Sequence, residues 1–166
     1  MVLVGLPGAG KTSVGQVLAG LSGRPFVDID CALREAAPQS DDLITAGDWA
    51  SFRALEADVA KRALATDTPS VIAFGGGTLL SAAVRDAALK AALVVYLDEE
   101  PRLLSQRLAA SPRRMFDGQD IERALIELHR QRCPIYAQAQ VRIHGQGRPI
   151  EALAAAVLEK WGDFAE

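Results

Sequence analysis

Gly5-Leu6-Pro7-Gly8-Ala9-Gly10-Lys11-Thr12 decides the fold. It sits between the apolar run Met1-Val2-Leu3-Val4 and a helical pattern that begins near Lys11 and continues from Ser13 to Leu21. The spacing is that of a complete phosphate-binding loop. Its glycines let the backbone curl so that successive N–H groups point inward at a polyphosphate, and the following helix adds the positive end of its dipole. In such a loop Lys11 reaches the β- and γ-phosphates and the Thr12 hydroxyl ligates Mg²⁺. A glycine-rich turn that merely joins a strand to a helix is the bland alternative, and the apolar strand before and helix after weigh against it.

Working outward, apolar strands alternate with helical patterns. The first helix places Val14, Val17, Leu18 and Leu21 on one stripe and ends at Gly23 and Pro25. Phe26-Val27-Asp28-Ile29-Asp30 reads as a short strand, Cys31 to Ala37 as a weaker helix, and Pro38 to Asp48 as a polar, broken segment. Phe52, Leu55, Val59 and Ala63 then mark a long helix reaching about Ala65. Val71 to Phe74 reads as a buried strand running into Gly75-Gly76-Gly77, followed by a helix over about Ser81 to Leu89 and the strand Leu93 to Leu97. Acids at Asp98, Glu99 and Glu100 with Pro101 open a helix that fades by Ala110. After a cationic excursion from Ser111 to Gly118 come a helix from Asp120 to about Arg132, a strand over Gln140 to His144 and a final helix carrying Ile150, Leu153, Val157, Leu158 and Trp161.

Near-continuous apolar strands separated by helices call for a parallel sheet covered on both faces, with ligands bound at the carboxyl ends of the strands. The phosphate loop, Asp28 with Asp30, and the triple glycine all fall at such ends. The chain has 166 residues, 49% hydrophobic and 23% charged, which fits a single domain over 1–166 with one core. Its net charge of −3 provides no basic field for nucleic acid or an anionic membrane. The absence of a charged leader and of a long apolar run points to the cytoplasm. Cys31 and Cys133 are too few for a disulfide framework or zinc site and are expected to be reduced.

Individual residues carry the chemistry. On a strand, Asp28 and Asp30 would share a face beside the phosphate loop, one holding Mg²⁺ through water and the other accepting a substrate hydroxyl proton. Alternatively, one of them caps the helix at Cys31. The backbone of Gly75 to Gly77 suits close approach by a hydroxylated or anionic substrate, or serves as a plain turn. Ile121, Leu125, Leu128 and Arg132 follow helical spacing, so Arg132 belongs to an inward stripe and calls for an anion partner. Arg53 and Glu56 stand three apart and read equally well as a surface ion pair. Arg113 and Arg114 lie where a loop closes over phosphates, or are solvated charges. His129 and His144 read as surface or sheet-edge residues, and Trp49 beside Arg53 as packing or a pocket wall.

The ordered set resembles the shikimate kinases. The features are Gly5 to Thr12 followed by Gly15, Phe26 to Asp30, Phe52-Arg53 with Glu56, Gly75 to Gly77, a lid arginine, and Arg132 with Pro134 and Tyr136. The resemblance implies a nucleoside-monophosphate-kinase-like phosphate-loop fold, three layers α/β/α around a five-stranded parallel sheet in order 2-3-1-4-5. It also implies a substrate-binding subdomain at about 30–62 and a lid at about 109–120. The implied activity is transfer of the ATP γ-phosphoryl group to the 3-hydroxyl of shikimate, with Mg²⁺, by a monomer. Related kinases of gluconate or other hydroxy acids, and a non-catalytic nucleotide-binding module, are the alternatives.

By the same resemblance, Gly8, Ala9, Gly10, Lys11, Thr12, Ser13, Arg107 and Arg113 bind ATP, with Lys11 stabilising the transferring group. Thr12 and Asp28 serve the metal, and Asp30 meets the ring hydroxyl. Arg53, oriented by Glu56, and Arg132 grip the carboxylate, Gly75, Gly76 and Gly77 meet substrate oxygens, and Arg113 bridges to the phosphates. Two departures stand out: Asp48-Trp49 replaces the family's Gly-Glu, and Arg113-Arg114-Met115-Phe116 replaces Arg-Pro-Leu-Leu.

Overall fold

The computed structural model describes residues 1–110 and 114–165. Among these, five strands form one parallel sheet in the order β2-β3-β1-β4-β5: β1 (Val2–Val4), β2 (Phe26–Asp28), β3 (Val71–Ala73), β4 (Val94–Asp98) and β5 (Val141–His144). The central strand β1 pairs with β3 through Leu3 and Ala73 and with β4 through Leu3 and Val95. Val2, Leu3 and Val4 are fully buried, because helices cover both faces of the sheet. The chain turns from one side of β1 to the other here, so the crevice at the carboxyl end of β1 is the topological switch point where ligands bind in such sheets.

Eight helices surround the sheet among the described residues: α1 (Lys11–Ser22), α2 (Ile29–Ala36), α3 (Ser40–Ala46), α4 (Trp49–Leu64), α5 (Ala82–Ala91), α6 (Pro101–Ala110), α7 (Ile121–Tyr136) and α8 (Ile150–Ala165). The three-layer reading and strand order therefore hold. α1 buries Val14, Gly15, Leu18 and Ala19 rather than the expected Leu21, which is 66% exposed. The reason is close packing at Gly15, where a Cβ would lie 2.4 Å from the Phe26 ring; this contact turns the helix so that its small residues face β2. No helix among the described residues is long and apolar enough to cross a membrane.

Three segments differ from the periodicity. The strand expected over Phe26 to Asp30 stops at Asp28, whose side chain accepts from the Cys31 N–H at 3.2 Å and caps α2. Asp28 and Asp30 therefore do not share a strand face: Asp30 lies in the first turn of the helix. The segment 38–48 contains the short α3, with Asp41 and Asp42 in its first turn favouring the helix dipole. α7 also runs past Arg132 to Tyr136 with Pro134 inside it.

The inner strand β4 and the edge strand β5 are tied at their ends by Asp98. It accepts from the Tyr96 hydroxyl at 2.7 Å and from Arg142 at 2.7 and 3.1 Å, with His144 Nδ1 at 3.2 Å. Burial opposes ionisation of Asp98, but the hydrogen bonds from Tyr96 and Arg142 and the nearby charges outweigh it and hold its pKa below the ordinary value. With the folded-state pKa below the unfolded one, this stabilisation is present above the ordinary carboxylate range and lost as pH falls through the depressed value. Asp98→Asn is expected to cost about 2 kcal/mol at pH 7, a difference that narrows below about pH 4. Urea unfolding of both proteins across pH checks it; a gap independent of pH would contradict the assignment.

Candidate active site

The phosphate loop follows β1 directly. Gly8 and Gly10 have φ of 83° and 90°, left-handed values that only glycine adopts at little cost, and Gly10 caps α1. Lys11 Nζ donates to the Gly5 and Leu6 carbonyls, each at 3.0 Å, so its ammonium lies across the mouth of its own loop. Thr12 Oγ1 donates to Asp28 Oδ2 at 2.7 Å. Asp28 thus caps α2 with one oxygen and meets the loop threonine with the other. These hard oxygen donors beside a polyphosphate loop fit a Mg²⁺ ion, the hydroxyl and carboxylate being the residues that would hold it.

The end of β3 supplies the second half. A Cβ on Gly75 would lie 2.6 Å from Asp30 Oδ1 and 2.7 Å from Glu56 Oε1; on Gly76, 3.1 Å from Arg132 Nη1; on Gly77, 2.3 Å from the Arg53 guanidinium. The glycine run is therefore a floor on which four charged side chains lie in contact with backbone. Its demand is close approach rather than a special φ: Gly77 has φ of −110°. Gly76 also abuts the loop, since a Cβ there would be 3.2 Å from the Pro7 ring.

Arg132 is 7% exposed on the expected inward stripe of α7, and its Nη1 donates to the Gly76 carbonyl at 2.9 Å. The Tyr136 hydroxyl donates to the same carbonyl. Burial raises the Tyr136 pKa, so the phenol stays a donor. Arg53 pairs with Glu56 at 2.5 Å. This is no surface pair: Glu56 is 3% exposed and accepts from Thr78 Oγ1 at 2.8 Å through its other oxygen. A guanidinium fixed in this way by a buried carboxylate keeps its remaining donors oriented for a planar anion.

A cleft of about 560 Å³ opens between α2, α3 and the loop, lined by Thr12, Asp28, Asp30, Arg34, Ser40 and Phe52 among others. A neighbouring cavity of about 200 Å³ is lined by Gly8 to Ser13 without Ala9, and by Asp28, Asp30, Arg107 and Leu108. The two share Thr12, Asp28 and Asp30, so these residues stand at the junction. Ala9 is buried beneath the loop. Arg53 and Arg132 line neither cavity and sit on the glycine floor beside Asp30. Arg107 points at the loop: it donates to the Gly8 carbonyl at 3.4 Å and pairs with Glu99 at 2.9 Å. Arg113 lies outside the described residues. Thr78 and Arg34 were missed by sequence reasoning. Thr78 directly follows the glycine run, and Arg34 stands four residues after Asp30, one helical turn on.

Comparison with known proteins places this geometry. The family profile described as shikimate kinase matches residues 7–161. A shikimate kinase of Symbiobacterium thermophilum is 40% identical over 171 residues, covering 100% of this chain and 98% of the relative. One from Caulobacter vibrioides is 38% identical over 161 residues, covering 95% and 80%. Among solved structures, shikimate kinase from Acinetobacter baumannii in complex with shikimate is similar at TM-score 0.91 and 29% identity, covering 98% of this chain and 92% of that one.

The close-approach argument has a direct test. Gly77→Ala is expected to destabilise by roughly 2 kcal/mol through overpacking against Arg53. Gly20→Ala, in α1 where an added Cβ meets nothing within 4 Å, is expected to stabilise by about 0.5–1 kcal/mol. Chemical denaturation of both variants decides it, and a neutral Gly77→Ala would mean the floor is not tight.

Proposed function

Since the chain belongs to the shikimate kinase family, we propose that its site divides phosphoryl transfer between the phosphate loop and the glycine floor. The reaction transfers the ATP γ-phosphoryl group to the 3-hydroxyl of shikimate, giving shikimate 3-phosphate and ADP. Phosphoryl transfer through a loose transition state asks the protein mainly for positioning and charge stabilisation. On this reading the loop N–H groups of Gly8 to Ser13 and the α1 dipole hold the phosphates, and Lys11 swings from its resting carbonyls onto the transferring group. Mg²⁺, held by Thr12 and Asp28, would supply neutralisation of charge on the phosphate oxygens.

Arg132 and Arg53 take the shikimate carboxylate, with Glu56 and Thr78 holding Arg53 in plane. Asp30, at the junction of the two cavities, orients the 3-hydroxyl and takes its proton as the P–O bond forms. The observation that carries this reading is the glycine floor: it packs Asp30 and both arginines together and abuts the phosphate loop at Pro7. Residues of one chain suffice to meet donor and acceptor, so the proposed reaction needs no second copy. The subdomain at about 30–62, the lid at about 109–120 and the role of Arg113 rest on the family pattern.

A coupled ADP-release assay with Mg-ATP tests the assignment. Shikimate is expected to support turnover, with gluconate and quinate poor acceptors. Arg132→Ala is expected to raise KM for shikimate about 100-fold, while KM for ATP changes less than about twofold, because a charge-assisted contact to the acid alone is removed. Tight ATP binding with no shikimate turnover would overturn the reading and direct attention to Asp48-Trp49 and Arg114.

A further inference from the structure

Glu99 follows β4, is 5% exposed, and has no part in the assignments above. A carboxylate this deep is costly unless its oxygens are met, and these are. Oε2 accepts from Arg107 Nη2 at 2.9 Å, Oε1 accepts from the Glu100 N–H at 3.2 Å, and the Gly147 N–H reaches Oε2 at 3.2 Å and Oε1 at 3.4 Å. The chain also makes room for it. A Cβ on Gly145 would stand 2.5 Å from Oε2, and the Gly145 N–H donates to the Asp98 carbonyl at 2.6 Å.

One buried carboxylate thus joins the end of β4, the outward helix α6 through Arg107, and the turn between β5 and α8. That junction lies against the phosphate loop from two sides. Arg107 donates to the Gly8 carbonyl, and Ile150, the first residue of α8, brings its Cδ1 to 3.1 Å from where a Cβ on Gly10 would be. The Arg107 side chain is 34% exposed and lines the smaller cavity beside the loop. A guanidinium on a long stem keeps one face toward a ligand only if something fixes it from behind.

We propose that Glu99 is a positioning residue for the nucleotide. It holds Arg107 over the phosphate loop and pins the turn at Gly145–Gly147 beside it, setting affinity for the base-bearing part of ATP without touching the nucleotide. The proposal rests on the assignment of Arg107 along the adenine, which the resemblance to the shikimate kinases implies. Glu99→Gln keeps the shape but removes the charge and turns an amide donor toward the Arg107 and Gly147 donors.

Isothermal titration with ADP and with tripolyphosphate, which has no base, separates the contributions. Glu99→Gln is expected to weaken ADP binding about tenfold and to raise KM for ATP alike, leaving tripolyphosphate affinity and KM for shikimate within about twofold. Combined with Arg107→Ala it adds less than the sum of the two single losses, since part of its effect runs through that contact. Gly145→Ala, which crowds the carboxylate without deleting it, shifts ADP affinity the same way and serves if Glu99→Gln does not fold. A lowered Tm with unchanged ADP binding would make Glu99 merely structural and overturn the proposal. Equal weakening of ADP and tripolyphosphate would overturn it in favour of an effect on the loop itself. If Arg107→Ala leaves ADP binding unchanged, the nucleotide assignment of Arg107 fails instead, whatever Glu99→Gln does.

Discussion

The absence of three successive side chains at the end of β3 is the constraint on which the site depends. Bare backbone lets charged side chains come closer to the chain than a Cβ would allow. A Cβ on Gly75 or Gly77 would lie within 3.0 Å of a neighbour, and one on Gly76 would be tight against Arg132 and Pro7 at 3.1 and 3.2 Å. Because the run abuts Pro7 at its middle residue, the surface that gathers Asp30, Arg53 and Arg132 is the same one that locates the phosphate loop. The loop and the floor, donor and acceptor sites on the proposed reading, are thereby registered against each other through backbone, whose positions are set by the pairing of β1 with β3 at Val2–Ile72 and Leu3–Ala73.

That registration extends to the other half of the sheet. Tyr136 donates to the Gly76 carbonyl and packs on Tyr96 with ring centroids 5.1 Å apart, and Tyr96 donates to Asp98. Each hydroxyl is buried and each has an acceptor, so the chain of contacts from β4 through α7 to the floor leaves none of these polar atoms unmatched. Asp98 fastens the edge, Glu99 fastens the nucleotide side, and the two are neighbours. The acids Asp98 and Glu99 at the end of β4 precede a helix start as the sequence signature says, since α6 opens at Pro101, and they serve as structural ties as well.

The parts legible in sequence were those fixed by local geometry or by strict period. The phosphate loop was legible because left-handed backbone at Gly8 and Gly10 demands glycine, and Arg132 because the α7 stripe Ile121, Leu125, Leu128 places it inward. The parts that were not legible depend on tertiary contacts. Nothing local distinguishes Glu56 from a surface acid; its burial comes from Thr78 and the glycine floor, 19 and more residues away. Asp28 and Asp30 alternate as a strand would, but capping of α2 by Asp28 ends the strand two residues earlier. The outward turn of Leu21 follows from the approach of Phe26 to Gly15.

The Asp48-Trp49 departure acquires a physical meaning from its place in the fold. Asp48 caps α4, accepting from the Ser51 N–H at 3.1 Å, so the helix start survives the change. Trp49 then packs edge-on to Phe52 at 6.1 Å, and the Arg53 guanidinium lies 5.2 Å from the Phe52 ring and 5.9 Å from the Trp49 ring. With Gly77 beneath it, Glu56 on one edge and two aromatic rings alongside, the Arg53 side chain is left 29% exposed. A guanidinium so placed keeps an open edge with the fork geometry that suits a carboxylate. The substitution in the pocket wall therefore bears on the same residue the glycine floor positions, and on the proposed reading it reaches the acid only through the surroundings of Arg53.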